Sequence, residues 1–318
     1  MSPRLLIVLL WRNGEKFMQE ILMKAGCFIA IIILGYVLKR VGFFKEDDFK
    51  ILSKIVLKIT LPTAIVVSFA GKTIDPSMLL IMFIGFGGGV LYMILGCFIN
   101  IRKGKEQKAF GILNLSGYNI GNFTMPFVQS FLGPIGVITT SVYDVGNAFV
   151  CLGGAYSIAS TVKGNGKFSL WRILKTLSKS IAFDCYVIMI VLSLLKIQMP
   201  TVVISFAEII KDANAFAAML MLGVGFRLTG EKTQIGEVVK YLLLRYGVAM
   251  LIAIASFYWL PFDLEVRKAI MILAFSPIAS AVPAFTGEID GDVGLSSAIN
   301  SISIICSILF IVAILLIV

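Results

Sequence analysis

Apolar stretches of about 20 residues follow one another along almost the whole chain. A helix needs about 20 residues to cross ~30 Å of hydrocarbon. Lipid offers the backbone no hydrogen-bond partner, so each stretch has to be helical inside a membrane. Only 14% of the 318 residues are charged, which is too few to coat a soluble protein of this length. The sequence therefore predicts an all-α, polytopic membrane protein.

Ten such stretches can be counted, and their connections are too short to hold a soluble domain. They run over about 21–38, 51–70, 77–99, 109–131, 135–159, 180–197, 201–226, 241–260, 267–287 and 293–317. Loops after spans 1, 3, 5 and 7 carry sixteen Lys and Arg residues, whereas loops after spans 2, 4, 6 and 8 carry four. Basic loops stay in the cytoplasm, so both termini are predicted to lie outside the plasma membrane. The net charge of +10 then reflects topology, and no nucleic-acid partner is expected.

Residues 1–17 fit this pattern poorly and are predicted to be an N-terminal extension. The apolar run LLIVLL is too short to span a membrane, and no small-residue cleavage site follows it. Arg4, Arg12 and Lys16 would also put positive charge on the outer side. The alternative hypothesis is that translation starts at Met18 and not at Met1.

The remaining chain divides into two sets of five spans. Residues 18–161 are predicted to form the first five-helix repeat, 162–179 a cytoplasmic loop, and 180–318 the second repeat. Because each set has an odd number of spans, the second set enters the membrane from the opposite side. That arrangement is the signature of an inverted repeat in transporters.

Spans 4 and 9 carry helix-breaking residues at mid-membrane. Asn119 precedes Pro126 by seven residues, and Ser276 precedes Pro283 by the same spacing. Proline removes a backbone donor and disturbs the carbonyl four residues earlier, so such a segment has to face protein or water. One kinked helix would be structural, but two broken helices at matching positions point to a transporter's substrate site.

Four segments resemble the auxin efflux carrier family. They are LGYVLKRVGFFKEDDFKILSKIVLKITLPTAIVVSFA (34–70), NIGNFTMP (119–126), VYDVGN (142–147) and FSPIASAVPAF (275–285). The resemblance implies ten helices in two inverted five-helix repeats, with broken helices 4 and 9 crossing, as in sodium/proton antiporters and bile-acid symporters. It further implies that a panel of spans 1, 2, 6 and 7 moves against the remaining core. Bacterial members of the family carry small organic anions such as malate or malonate.

The substrate site follows from the same resemblance. In that family the span-4 asparagine and the crossing prolines line the site, and this role is carried onto Asn119, Pro126 and Pro283. Neighbouring residues of the two broken segments complete the predicted site: Gly121, Asn122, Ser276 and Pro277.

Ionisable residues inside predicted spans are functional candidates, because a charge at the bilayer centre costs roughly 2.5–3.5 kcal/mol on insertion scales. Asp144 lies inside span 5, and Asn147 shares its helix face. These two either couple transport to an ion or form a polar staple for the unwound backbone. Span 7 holds Glu208, Lys211 and Asp212, where Glu208 and Lys211 either pair with each other or leave Lys211 to attract an anion.

Other polar residues suggest no ligand. Lys54, Lys58 and Arg245 lie in the cytoplasmic halves of predicted spans, where long side chains can snorkel to the surface. The five cysteines are scattered without motif spacing, so neither a metal site nor a cofactor is predicted.

The leading interpretation is a secondary active or facilitative transporter of small carboxylates, working by alternating access. Half-helix N-termini carry positive dipole ends that suit a carboxylate. The alternative is a cation/proton antiporter on the same architecture that uses Asp144. An enzyme is disfavoured because the chain has no histidine and no visible catalytic arrangement. Coupling to a proton or to sodium is left open, and the resemblance is compatible with a homodimer.

Overall fold

The structure is a computed structural model that describes residues 3–45, 47–164, 166–227 and 234–317, with the backbone alone for residues 3–17. Throughout this part of the chain, the regular elements are helices. The α-helices are α1 (Pro3–Arg40), α2 (Asp48–Ile55), α3 (Leu61–Phe69), α4 (Leu80–Phe98), α5 (Lys105–Leu115), α6 (Met125–Phe131), α7 (Gly133–Phe149), α8 (Ala155–Lys163), α9 (Leu170–Leu177), α10 (Ile181–Leu194), α11 (Thr201–Lys211), α12 (Ala213–Gly225), α13 (Ile235–Trp259), α14 (Leu264–Ala274), α15 (Val282–Glu288) and α16 (Val293–Ile317). The prediction of an all-helical protein is confirmed for these residues.

Six helical stretches in the described part are long and apolar enough to cross a membrane, or seven if one bent pair counts as a span. The six are Met18–Arg40, Asp48–Phe69, Pro76–Phe98, Gly133–Lys163, Ile235–Trp259 and Val293–Ile317. The bent pair is α9 and α10, which meet at 82°. A multi-pass membrane protein is therefore supported. The other predicted spans coincide with interrupted helices, and the ten-span inverted repeat stays a prediction.

Two groups of helices pack internally. In the first group, α1 contacts α12, α12 contacts α2, and α3 contacts both α10 and α11. In the second group, α4 contacts α5 and α7, α5 contacts α8, and α14 contacts both α7 and α13. We call these groups the panel (α1–α3 and α10–α12) and the core (α4–α8 and α13–α16).

Two of the predicted spans in the core are interrupted inside the protein. The first helix, α5, ends at Leu115 and is followed by non-helical backbone before a π-turn at Ile120–Thr124 leads into α6. The second, α14, ends at Ala274, and helical structure resumes at α15. Each break lies before the proline, Pro126 or Pro283, from which the sequence analysis predicted it. Pro283 lies in the first turn of α15, where the missing N–H leaves no hydrogen bond unmade. Pro126 is the second residue of α6 and follows the π-turn without a gap.

The predicted loop at 162–179 contains the short helix α9. The Ser169 side chain accepts a hydrogen bond from the Arg172 amide and so caps its first turn. Ile173 and Leu177 are buried against the protein, whereas Trp171 is exposed on the opposite side. The period of these apolar residues, and not the polarity of the segment as a whole, explains why it is helical.

Glycine permits the closest contact inside the panel. A Cβ atom on Gly35 of α1 would collide with the Leu220 carbonyl of α12, and one on Gly223 of α12 would collide with the Ile32 carbonyl. Small residues let membrane helices approach until their backbones touch. By contrast, a Cβ on Gly26, also in α1, would meet no atom within 4 Å.

We expect Gly35→Ala to destabilise the protein by about 1–3 kcal/mol, because backbone has to move to admit the methyl group. The matched control is Gly26→Ala, which adds the same methyl group to open space and gains helix propensity. Thermal unfolding in detergent measures both. Equal unfolding temperatures for the two variants would contradict the close contact between α1 and α12.

Candidate functional site

The two interrupted helices meet at their breaks. The Asn119 amide donates a hydrogen bond of 2.9 Å to the Pro277 carbonyl. Beside it, the Thr124 hydroxyl contacts the Ser276 hydroxyl at 2.7 Å, and Asn122 Nδ2 donates to Ser280 Oγ at 3.1 Å. One backbone hydrogen bond and two side-chain hydrogen bonds thus join the two breaks, and the freed Asn119 amide has the protein partner that burial in a membrane requires.

An asparagine from the next core helix holds each break. Asn147 of α7 exchanges two hydrogen bonds of 2.9 Å with the Tyr118 backbone, one to its amide and one to its carbonyl. Asn300 of α16 donates to the carbonyls of Ile278 (3.0 Å) and Ala279 (3.2 Å). The staple expected of Asn147 therefore has a counterpart in Asn300, which the sequence analysis missed. A lone asparagine in a long apolar helix was the available signal.

We call the place where the two breaks (116–119 and 275–281) meet the crossing. A small cavity of about 110 Å³ lies where the crossing faces the panel. Residues at the N-terminal ends of both second half-helices line it, with Asn119, Gly121 and Asn122 on one side and Ser280 on the other. Tyr186 of α10 together with Leu57 and Leu61 of the panel closes it. Three of the predicted site residues therefore come together around one space.

Two polar atoms in this cavity are buried without a hydrogen-bond partner in the described part of the protein. They are Asn119 Nδ2 and Asn122 Oδ1, whereas the Tyr186 hydroxyl interacts with the Asp144 carboxylate. An unsatisfied buried polar atom costs about 1–3 kcal/mol. One donor and one acceptor thus converge on a space that a small polar ligand or water would complete.

Asp144 also lines the cavity, and its side chain is nearly buried. One carboxylate oxygen accepts a hydrogen bond of 2.8 Å from Asn147 Nδ2. No lysine or arginine is among the described residues that line this cavity. Asp144 therefore brings a carboxylate to the cavity without a cationic partner there.

The other predicted substrate-site residues lie around this cavity but do not line it. Ser276 and Pro277 are buried behind it, where they form the crossing contacts. Pro126 is buried inside α6, and Pro283 borders a second cavity with Lys39 and Asn300. Each proline lies at the beginning of an α-helix, and the residues that line the cavity come just before that helix.

The charged residues of span 7 lie away from the cavity. Glu208 and Asp212 are exposed, Lys211 is half-buried, and Glu208 forms no ion pair with Lys211 in the described residues. The expected pair is therefore not formed. Polar contact between panel and core comes instead from Asn214, which accepts from Thr60 at 2.9 Å and donates to Gln129 at 3.1 Å.

Arg245 contradicts the expectation that it snorkels to the surface. It is the largest fully buried side chain in the described residues, and its guanidinium donates to backbone carbonyls at the crossing. It lies ten residues after the start of α13, far from either helix end, and that position was the signal that the sequence analysis overlooked.

We expect Asn147→Ala and Asn300→Ala each to destabilise the protein by about 1–3 kcal/mol, because each change leaves buried carbonyls unpaired. Ser297→Ala is the control, since it removes a hydroxyl of α16 for which the described residues provide no hydrogen bond. Thermal unfolding compares the three. If the asparagine variants unfold at the temperature of the control, these staples do not hold the breaks.

Residues 22–170 match a family model described as membrane transport protein. The match covers a little under half of the chain and includes Asn119, Asp144 and Asn147. No curated protein matches the sequence. In its first half, the chain is therefore similar to proteins that carry solutes across membranes.

Proposed function

We propose that this protein is a secondary transporter of small carboxylates, and that the cavity at the crossing binds the substrate. The observation that carries the proposal is the convergence of unpartnered Asn119 Nδ2 and Asn122 Oδ1 on one space, next to the Tyr186 hydroxyl and Asp144. The match to membrane transport proteins supports the transport class.

Charge favours an anion at this position. The N-terminal ends of both second half-helices border the cavity, and each helix N-terminus carries a partial positive charge of roughly half a unit. Backbone amides at such ends bind carboxylates and phosphates. The small volume, about 110 Å³, supports a substrate of few heavy atoms, as in the malate or malonate expected from the family resemblance.

Alternating access between the panel and the core would move this substrate across the membrane. The cavity is shared between them, because Leu61 and Tyr186 belong to the panel whereas Asn119 and Ser280 belong to the core. Polar contact between the two groups includes hydrogen bonds from Asn214 Nδ2 to Gln129 Oε1 (3.1 Å) and from Gln129 Nε2 to the Lys211 carbonyl (3.5 Å). Few such bonds have to break when one group slides against the other.

Asp144 gives the proposal a coupling step. Two carboxylates a few ångströms apart in a dry cavity repel each other by several kcal/mol. The groups that face Asp144 are neutral in their ordinary states: Tyr118, Tyr143, Cys151 and Tyr186. A substrate carboxylate would therefore bind together with a proton on Asp144, and uptake would be driven by an inward proton gradient.

The second candidate is a cation/proton antiporter that uses the same aspartate. Its support is the oxygen set around the cavity, in which Asn122 Oδ1 and the second oxygen of Asp144 could both bind a small cation. A pH-jump assay in proteoliposomes with sodium and no organic anion separates the candidates. Sodium-dependent proton flux there would favour the antiporter and count against the carboxylate carrier.

We expect Asn119→Ala to lower carboxylate uptake into proteoliposomes by about 10- to 100-fold, because a hydrogen bond to a charged ligand contributes about 1.5–3 kcal/mol. The backbone amide that bonds Pro277 is retained in this variant, so folding is preserved. Asn100→Ala is the control, since Asn100 is a buried asparagine that lies outside the cavity. Uptake by Asn119→Ala at the rate of the control would exclude Asn119 from the substrate site.

We expect Asp144→Asn to transport carboxylate without responding to the proton gradient, because the amide is neutral at every pH. Uptake by the unmodified protein should rise as the outside pH falls below the inside pH. Measuring uptake at several imposed gradients tests this difference. A variant whose uptake still rises with the inward gradient would place the coupling proton elsewhere.

A further inference from the structure

Arg245 occupies the space between the two interrupted helices. It belongs to α13, a helix that is not itself broken, and its side chain is fully buried. Nη1 donates to the Leu115 carbonyl, and Nη2 donates to the carbonyls of Ser276 (3.0 Å) and Pro277 (3.5 Å). One side chain therefore contacts the backbone of both breaks.

The carbonyls that Arg245 contacts lie at the C-terminal ends of the first half-helices. Leu115 is the last residue of α5, and Ser276 follows the end of α14 at Ala274 by two residues. The last carbonyls of a helix have no intrahelical donor, and each helix C-terminus carries roughly half a unit of negative charge. Two such ends meet the one positive charge of Arg245, so the charges balance.

No acidic side chain takes part in this arrangement. Within the described residues, Arg245 forms no ion pair with an aspartate or glutamate. Its guanidinium is instead enclosed by the rings of Tyr92 and Tyr118, whose centroids lie 4.4 and 4.8 Å away. A buried charge is costly unless something compensates it, and here backbone dipoles and aromatic faces do so.

We infer that Arg245 is a resident cation of the crossing, permanently filling the role that a bound metal ion would otherwise have there. It neutralises the negative ends of α5 and α14, so the crossing holds together without a sodium ion between those ends. The positive ends of the second half-helices then face the cavity, whose acidic side chain among the described lining residues, Asp144, carries no charge when it is protonated. This last step rests on the proposed function, because it explains why the cavity accepts an anion.

The inference assigns Arg245 a positioning role through its charge and fork-shaped donors, and not through its volume alone. Methionine matches much of its volume but has neither feature. Lysine retains the charge but concentrates it at one point, so it cannot reach carbonyls of both breaks with the geometry of a guanidinium. The three substitutions Arg245→Ala, Arg245→Met and Arg245→Lys therefore separate space, charge and geometry.

The first test is chemical rescue of stability in detergent. Arg245→Ala should lower the unfolding temperature by on the order of 10 °C. Low-millimolar guanidinium should restore much of that loss in a saturable manner, because it fits the vacated space between three carbonyls and two aromatic rings. Sodium at the same concentration should restore little. In Arg245→Met the space is filled, so guanidinium should have no effect.

Arg267→Ala is the matched control for guanidinium. Arg267 also donates to a backbone carbonyl, that of Phe257 at 2.9 Å, and lies over the Phe257 ring, but it is remote from the crossing. Equal rescue of both alanine variants would show a non-specific effect of guanidinium and overturn the inference. Full stability of Arg245→Met would overturn it as well, because volume alone would then suffice.

Arg245→Lys provides the measurement if the alanine variant does not fold. Its unfolding temperature should lie between those of the unmodified protein and Arg245→Met, and a value equal to that of Arg245→Met would exclude a role for the charge. In the unmodified protein, replacing sodium by choline should change neither the unfolding temperature nor malonate uptake. A sodium-dependent rise in unfolding temperature that is lost on Arg245→Lys would overturn the inference.

Uptake separates this inference from the proposed function. In proteoliposomes of Arg245→Ala, guanidinium should restore malonate uptake together with stability. If guanidinium restores stability but neither variant nor unmodified protein transports any carboxylate, Arg245 is the resident cation and the proposed substrate class is wrong. If the unmodified protein transports malonate but guanidinium rescues nothing, the carrier stands and the role of Arg245 is refuted.

Discussion

The architecture depends on how the backbone groups of two interrupted helices find hydrogen-bond partners inside the protein. A peptide group that leaves a helix inside a membrane has to find a partner within the protein. Here the amide of Asn119 finds the carbonyl of Pro277, and asparagines of the following helices take up the groups that remain. Residues that enforce this exchange are therefore buried and polar, and they surround the candidate cavity instead of filling it.

The helix ends at the crossing are arranged by charge, with the negative ends on one side and the positive ends on the other. The C-terminal ends of α5 and α14 point to a buried arginine, whereas the N-terminal ends that follow the breaks point to a cavity containing one carboxylate and two unpartnered polar atoms. A protein that fixes its own cation on one side of the crossing presents an electropositive surface on the other side. The proposed anion selectivity, the proposed proton on Asp144 and the proposed independence from sodium are all consistent with that asymmetry.

Hydropathy and proline spacing predicted the helical class and the two interrupted segments, because burial in lipid constrains these features locally. The role of Asn119 and its neighbours Gly121 and Asn122 was predicted from the family resemblance. The breaks themselves begin before Pro126 and Pro283, since proline is tolerated in a first helical turn. Tyr186, Asn300 and Arg245 were not predicted as site residues. Their roles depend on which distant helices pack against the crossing, and neither periodicity nor composition contains that information.

Arg245 also has a consequence for how the chain is assembled during synthesis. The donor to the Leu115 carbonyl lies 130 residues further along the chain, and the acceptor of the Asn119 amide, Pro277, is also synthesised later. When the ribosome has delivered only the first five predicted spans, that segment enters the bilayer with its unwound backbone still lacking those partners. We therefore expect this intermediate to become stable only when the later helices have been inserted.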